Sequence, residues 1–131
     1  MAINTIGVVG AGTMGTGIAQ IAAASGFEVT VYDESAAARA KSIDTIKRLS
    51  ASSVTKGRIT EDDREAMLGR LHYADELGEL AGADLVVEAV VEVLDVKLRI
   101  FRELDALLAP GAIIASNTSS MSITSLAAAT G

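Results

Sequence analysis

Six residues, Gly10-Ala11-Gly12-Thr13-Met14-Gly15, carry the chemistry most directly readable in this chain. They form a G-x-G-x-x-G between a short apolar run and a helical pattern, and that context gives the motif its meaning. The first glycine permits a tight turn, the second lets a pyrophosphate approach the backbone, and the third lets a helix pack close against a strand. Free N–H groups at the start of that helix then face the phosphates. Asp33 stands 23 residues after Gly10, at the end of the next strand pattern, where an acid holds both hydroxyls of an adenosine ribose. A 2′-phosphate there would meet Asp33 and Glu34 together, and Arg39 lies more than a helical turn further on, so the arrangement selects NAD. The alternative is an aspartate that only caps the following helix.

Other polar residues are weaker signals. Glu92 is expected at the carboxyl edge of a fourth strand, where ligands bind in open α/β sheets, whereas Glu88 falls within it. The run Ser116-Asn117-Thr118-Ser119-Ser120 ends a fifth strand at the same edge, and it either faces the ligand crevice or caps a last helix. His72 is the single histidine, set in a weak strand far in sequence from the glycine turn, and is assigned no chemistry. With no cysteine there is no thiol nucleophile, disulfide or thiolate metal site.

These residues need elements to position them, and the chain supplies an alternation of strand and helix. Ile3–Val9 and Phe27–Tyr32 read as buried strands, with Met14, Ile18, Ile21 and Ala22 at helical spacing between them and Ser25-Gly26 as the stop. Ala36, Ala40, Ile43, Ile46 and Leu49 mark a long second helix, and 60–71 a third that opens on a capping box, Thr60-x-x-Asp63. Leu71–Ala74, Leu85–Val91 and Ala112–Ala115 complete five strands. The stripe Leu94, Leu98, Phe101, Leu104 and Leu108 marks a helix that stops near Ala109-Pro110, and Ile123–Ala129 starts a last one. Such alternation implies a parallel sheet with right-handed crossovers and helices on both faces.

The composition bounds the rest. The chain has 131 residues, half of them apolar, with 11 basic against 17 acidic side chains and a formal charge of −6. That suits one domain with a real core and excludes wholesale disorder. It also argues against a nucleic-acid partner, which needs a basic face. Glu88, Glu92 and Asp95 interrupt the longest apolar stretch, so no membrane span is expected, and the amino terminus shows no secretory pattern. A cytoplasmic location is the expectation. Within 35–59 the balance inverts: Arg39, Lys41, Lys47, Arg48, Lys56 and Arg58 face Asp44 alone. This is either a solvated helix face with Asp44 and Arg48 paired at i,i+4 or a surface that attracts a phosphorylated substrate.

Three segments, GAGTMGTGIAQ at 10–20, VVEAVVE at 86–92 and ASNTSSMSIT at 115–124, together resemble the 3-hydroxyacyl-CoA dehydrogenase family, and the resemblance runs the length of the chain. It implies an α/β, Rossmann-type doubly wound parallel sheet: one NAD-binding domain over 1–131, with a helical-pair insert at about 35–70 between strands two and three. It implies that Gly10–Gly15 hold the pyrophosphate of NAD and Asp33 the ribose. Glu92, Lys97 and Asn117 would line the nicotinamide half, and Ser119, as a catalytic residue, would contact the substrate's 3-oxygen. The helical pair would reach toward coenzyme A, with Lys56 on its phosphates, which favours the ligand reading of the basic insert. The activity implied is interconversion of (S)-3-hydroxyacyl-CoA and 3-ketoacyl-CoA in fatty acid and butanoate metabolism. The family's His-Phe-Phe-Asn-Pro motif and its helical, dimer-forming domain are not among these residues. The chain therefore reads as truncated before that C-terminal domain, with no turnover of its own and a homodimeric parent. An NAD-responsive binding module, or a dehydrogenase of small 3-hydroxy acids, are the alternatives; the long insert argues against the second.

Overall fold

Parallel pairing joins every strand to its neighbour. The computed structural model describes residues 3–89, 94–108 and 111–116. In it β1 (Thr5–Val9), β2 (Glu28–Tyr32), β3 (Leu71–Ala74), β4 (Leu85–Glu88) and β5 (Ile113–Ser116) form one sheet in the order β3-β2-β1-β4-β5. All four registers are parallel, from Thr5 opposite Glu28 to Glu88 opposite Ser116. The helices are α1 (Thr13–Ala24), α2 (Ala36–Thr55), α3 (Glu61–Gly69) and α4 (Leu94–Leu107).

Alternation along the strands splits the core in two. Ile6, Val8, Val29, Val31 and Leu71 point to the face covered by α1, by Ile46 of α2 and by Met67 of α3. Val9, Ala74 and Val86 point to the other, against Leu80, Ile100 and Leu104. The doubly wound sheet expected from the pattern is present, and the helical pair follows β2 on the same face as α1.

Local chemistry explains the ends. Gly26 takes φ +102° after α1, its N–H donates to the Ala23 carbonyl and that of Phe27 to Ala22, which is a Schellman stop. Thr60 and Asp63 form the reciprocal capping box of α3 at 3.0 and 3.1 Å.

Several expectations need correction. α3 ends at Gly69, because Leu71 belongs to β3, and β4 ends at Glu88 rather than at position 91. A 3₁₀ turn at Leu77–Leu80 went unforeseen; its Leu80 is seated over Gly7, where an added Cβ would come 2.8 Å from the leucine. In α1 the helix is correct but the expected face is only partly so: Ile18 packs partly buried against the core and Ala22 is buried, whereas Met14 and Ile21 are exposed and Gly15, Ala19 and Ala23 complete the buried face. Small residues face inward because this helix lies too close to the sheet for larger ones. Asp44 and Arg48 form no ion pair; among the described residues the pairs are Arg39–Asp75, Arg64–Glu61 and His72–Glu28. The expected last helix and the residues after Ser116 lie outside the described residues.

At the opposite edge from the glycine turn, Asp84 ties β4 to β1. Its carboxylate accepts the N–H groups of Asn4 and Thr5 at 2.9 and 3.2 Å and the Thr5 hydroxyl at 3.2 Å. Those bonds hold its pKa below the ordinary carboxyl range, the two backbone donors leading, burial opposing and the Thr5 hydroxyl adding to them. A carboxyl depressed in the folded state stabilises above its unfolded value and loses that contribution as pH falls through the folded one. Asp84→Ala is therefore expected to melt earlier at neutral pH, with the gap to the parent closing in strong acid. A gap independent of pH in thermal scans would contradict this role.

Candidate cofactor site

The carboxyl ends of β1 and β2 meet the start of α1. Gly10 turns the chain with φ +111°, a conformation that favours glycine, and its N–H donates to the Tyr32 carbonyl at 2.8 Å. Gly12 is the N-cap of α1 and offers no side chain to the free N–H groups of the first turn. It is exposed, and a Cβ added there would meet nothing within 4 Å. Gly15 is the reverse case: an added Cβ would lie 1.7 Å from the Gly10 carbonyl oxygen. One glycine leaves room above the turn and the other allows the turn to touch the helix.

Asp33 locks this turn from β2. One carboxylate oxygen accepts the Ala11 N–H at 2.9 Å and the other the Ser35 N–H at 2.9 Å. A carboxylate offers about four acceptor positions, so capacity remains for two ribose hydroxyls. The helix-cap alternative is not needed, because Ser35 is the N-cap of α2 and its hydroxyl accepts from Ala38 at 3.1 Å. Arg39, thought remote on sequence grounds, is not: its guanidinium donates to the Asp33 carbonyl and pairs with Asp75 at 3.2 Å. A single turn of helix brings the long side chain back over its own N-terminus.

A crevice of about 310 Å³ opens beside this turn. Gly10, Gly12, Asp33 and Glu34 border it on one side, and Leu77, Arg99, Ile100 and Glu103 on another. It lies next to the point where β1 has β2 on one side and β4 on the other, the switch point at which open α/β sheets bind ligands. Tyr32 also lines it, and its phenol is pushed above the ordinary value chiefly by burial, then by the negative charges of Glu34, Glu103 and Asp33, with Arg39 opposing. It stays a neutral hydroxyl there. The walls from α4 and the 3₁₀ turn carry no local sequence signal.

A second groove, about 500 Å³, starts at the same turn and runs between α1 and α2 past Thr13, Gly17, Gln20, Lys41, Thr45 and Leu49. Beneath it three hydroxyls, those of Thr16 and Ser42 buried and that of Tyr73 partly so, form a chain: Thr16 contacts the Ala11 carbonyl at 3.2 Å and Ser42 at 2.7 Å, and Ser42 contacts Tyr73 at 2.7 Å. The turn, the insert and β3 are thereby coupled. Ser42→Val is expected to cost about 1–3 kcal/mol, since it leaves the partly buried Tyr73 hydroxyl without its partner and the Thr16 hydroxyl with the Ala11 carbonyl alone. Burial raises the Tyr73 phenol above 10.0, more than its Ser42 bond lowers it. The unfolded chain therefore ionises first, so stability falls as pH rises through this range. Tyr73→Phe should flatten that fall in alkaline thermal scans, and an unaltered slope would remove the residue from the account.

Of the residues singled out by sequence, Gly10, Ala11, Gly12, Thr13, Met14, Gly15 and Asp33 come together here. Lys56 is exposed at the C-cap of α2, outside the crevice. Lys97 falls on α4, although its side chain is outside the described residues, as are Glu92, Asn117 and Ser119 altogether. Glu88 is fully buried at the end of β4, beside Val9 and Ser116, which the reading of it as a mere strand residue did not anticipate. His72 lies on β3, its ring 2.9 Å from Glu28 and not among the crevice residues.

Fold and turn together define a dinucleotide-binding domain of the doubly wound class. The family described as "3-hydroxyacyl-CoA dehydrogenase, NAD binding domain" matches residues 5–131, and the chain belongs to it. A 3-hydroxybutyryl-CoA dehydrogenase of Bradyrhizobium diazoefficiens is 48% identical over 98% of this chain and 44% of its own. The mitochondrial hydroxyacyl-coenzyme A dehydrogenase of Sus scrofa is 40% identical over 98% of this chain and 43% of its own. A crystal structure of 3-hydroxybutyryl-CoA dehydrogenase from Escherichia coli superposes with a TM-score of 0.94 at 43% identity, covering 98% of this chain and 27% of that one. The chain thus spans less than half the length of these relatives. NAD is the cofactor of the family, and no helix among the described residues is long and apolar enough to cross a membrane.

Proposed function

We propose that this domain supplies the NAD half of an enzyme that interconverts (S)-3-hydroxyacyl-CoA and 3-ketoacyl-CoA. The observation that carries the reading is the Asp33 carboxylate bonded across the glycine turn to Ala11, with open space above Gly12. Gly10, Ala11, Gly12, Thr13, Met14 and Gly15 would hold the pyrophosphate and Asp33 the adenosine ribose. Glu92, Lys97 and Asn117 would bound the nicotinamide half, and Ser119 would donate a hydrogen bond to the substrate's 3-oxygen. When bound, NAD supplies the hydride acceptor or donor. The chain's own part is to fix the reacting carbon and exclude water at the carboxyl edge of the sheet.

The groove between α1 and α2 suits an extended thioester carrier. Lys41, Thr45 and Leu49 mark one face of α2, and Lys56 stands seven residues, about two turns, beyond Leu49 on that same face. Its ammonium would meet a coenzyme A phosphate there. Homodimerisation through a further helical domain, and a cytoplasmic location, belong to the same reading.

A chimera tests it. Residues 5–131 replace the corresponding part of the Bradyrhizobium relative, and acetoacetyl-CoA reduction by NADH is followed. Turnover, reduced by Ser119→Ala with NADH affinity unchanged, is expected. A folded chimera that binds NADH without reducing the ketone would overturn the proposal.

A further inference from the structure

The acid at the ribose position is not alone: a guanidinium lies against its backbone, and a second carboxylate holds that guanidinium. Arg39 donates to the Asp33 carbonyl and pairs with Asp75 at 3.2 Å, with only 17% of its side chain exposed. The Asp75 backbone is fixed, because its N–H donates to Glu79 at 2.8 Å in the loop that opens the 3₁₀ turn, while its side chain is 87% exposed. An arginine within reach of Asp33 is the group that would pair with a 2′-phosphate if it were free to turn outward. Here its charge is met by Asp75, and its donors are spread between that carboxylate and a carbonyl.

We propose that Asp75 is a specificity-determining positioning residue: it holds Arg39 on the Asp33 backbone and so denies a 2′-phosphorylated adenosine its cation. The inference rests on the reading of Asp33 as the ribose ligand. NADP is then excluded twice, by the carboxylates of Asp33 and Glu34 and by the captured guanidinium. Release of Arg39 lifts the second barrier and leaves the first.

Fluorescence titration of the 131-residue chain with NADH and NADPH tests this. Asp75→Asn is expected to tighten NADPH about fivefold, with NADH changed by less than about twofold, since an exposed ion pair of this kind is modest in strength. The gain should shrink in high salt and vanish when Arg39→Leu is added. NADPH affinity unmoved by Asp75→Asn, or both cofactors shifting together, would overturn the proposal. Asp33→Asn separates the two levels: if it shifts the NADH to NADPH ratio while Asp75→Asn does not, the latch fails and the ribose reading stands. If the parent does not bind NADH, or Asp33→Asn leaves the ratio intact, the ribose reading fails and the latch with it.

Discussion

Gly15→Ala is expected to disable the domain, while Gly12→Ala, three residues away, is expected to disable only its ligand site. A Cβ at Gly15 would sit 1.7 Å from the Gly10 carbonyl oxygen and 2.8 Å from its carbon, both backbone atoms that no rotamer can move. Relief requires lifting α1 off the turn, which disturbs the buried contacts of Ala19, Ala22 and Ala23 against the sheet. Destabilisation of about 3 kcal/mol or more follows, at the upper end for overpacked sites. At Gly12 the backbone has φ −76°, an ordinary value for any residue, and the added methyl meets no protein atom within 4 Å. Its cost falls on whatever approaches that backbone, so NADH affinity should drop at least about tenfold at an unchanged melting temperature. Thermal melts and NADH fluorescence on the two variants separate the cases. Normal NADH binding by Gly12→Ala would mean that no pyrophosphate lies over the turn.

The second large effect is kinetic. Hydride transfer at C3 needs a group to take or return the hydroxyl proton, and general acid–base assistance is typically worth about 10²–10⁴-fold. Among these 131 residues the single histidine is His72, and it is spent on Glu28 at the outer end of the sheet. The chain on its own is therefore expected to bind NADH and leave acetoacetyl-CoA unreduced, at least two orders of magnitude below the chimera with the Bradyrhizobium relative. Appreciable turnover lost on His72→Ala would show that this histidine, and not a residue outside these 131, handles the proton.

What could be read without coordinates was whatever depends on neighbours in sequence. The period of the strands, the Thr60 capping box, the Gly26 stop and the spacing from Gly10 to Asp33 are local, and each is present in the structure. Depth of packing is not local. The inward face of α1 was misread because hydrophobicity favours Met14 and Ile21, whereas closeness to the sheet selects Gly15 and Ala19. The far wall of the crevice, Leu77, Ile100 and Glu103, comes from segments with no motif, gathered only by the connections that lead into and out of β4. Arg39 was judged by its distance along the chain, yet a side chain of that length reaches back over a full turn of its helix. The Thr16–Ser42–Tyr73 chain joins three elements through residues that, taken singly, look like ordinary helix and strand positions.

On the proposed reading, Asp33 and the glycine turn would form one NAD-selective site. Calorimetric titration of the chain with NADH and then NADPH tests it most directly, with Asp33→Ala as the comparison. Single-site NADH binding is expected, with NADPH weaker by at least about tenfold because its 2′-phosphate would meet two carboxylates, and with a preference that narrows in Asp33→Ala while the protein still folds. NADPH binding as tightly as NADH to the parent, or a preference left unchanged by the loss of Asp33, would contradict it.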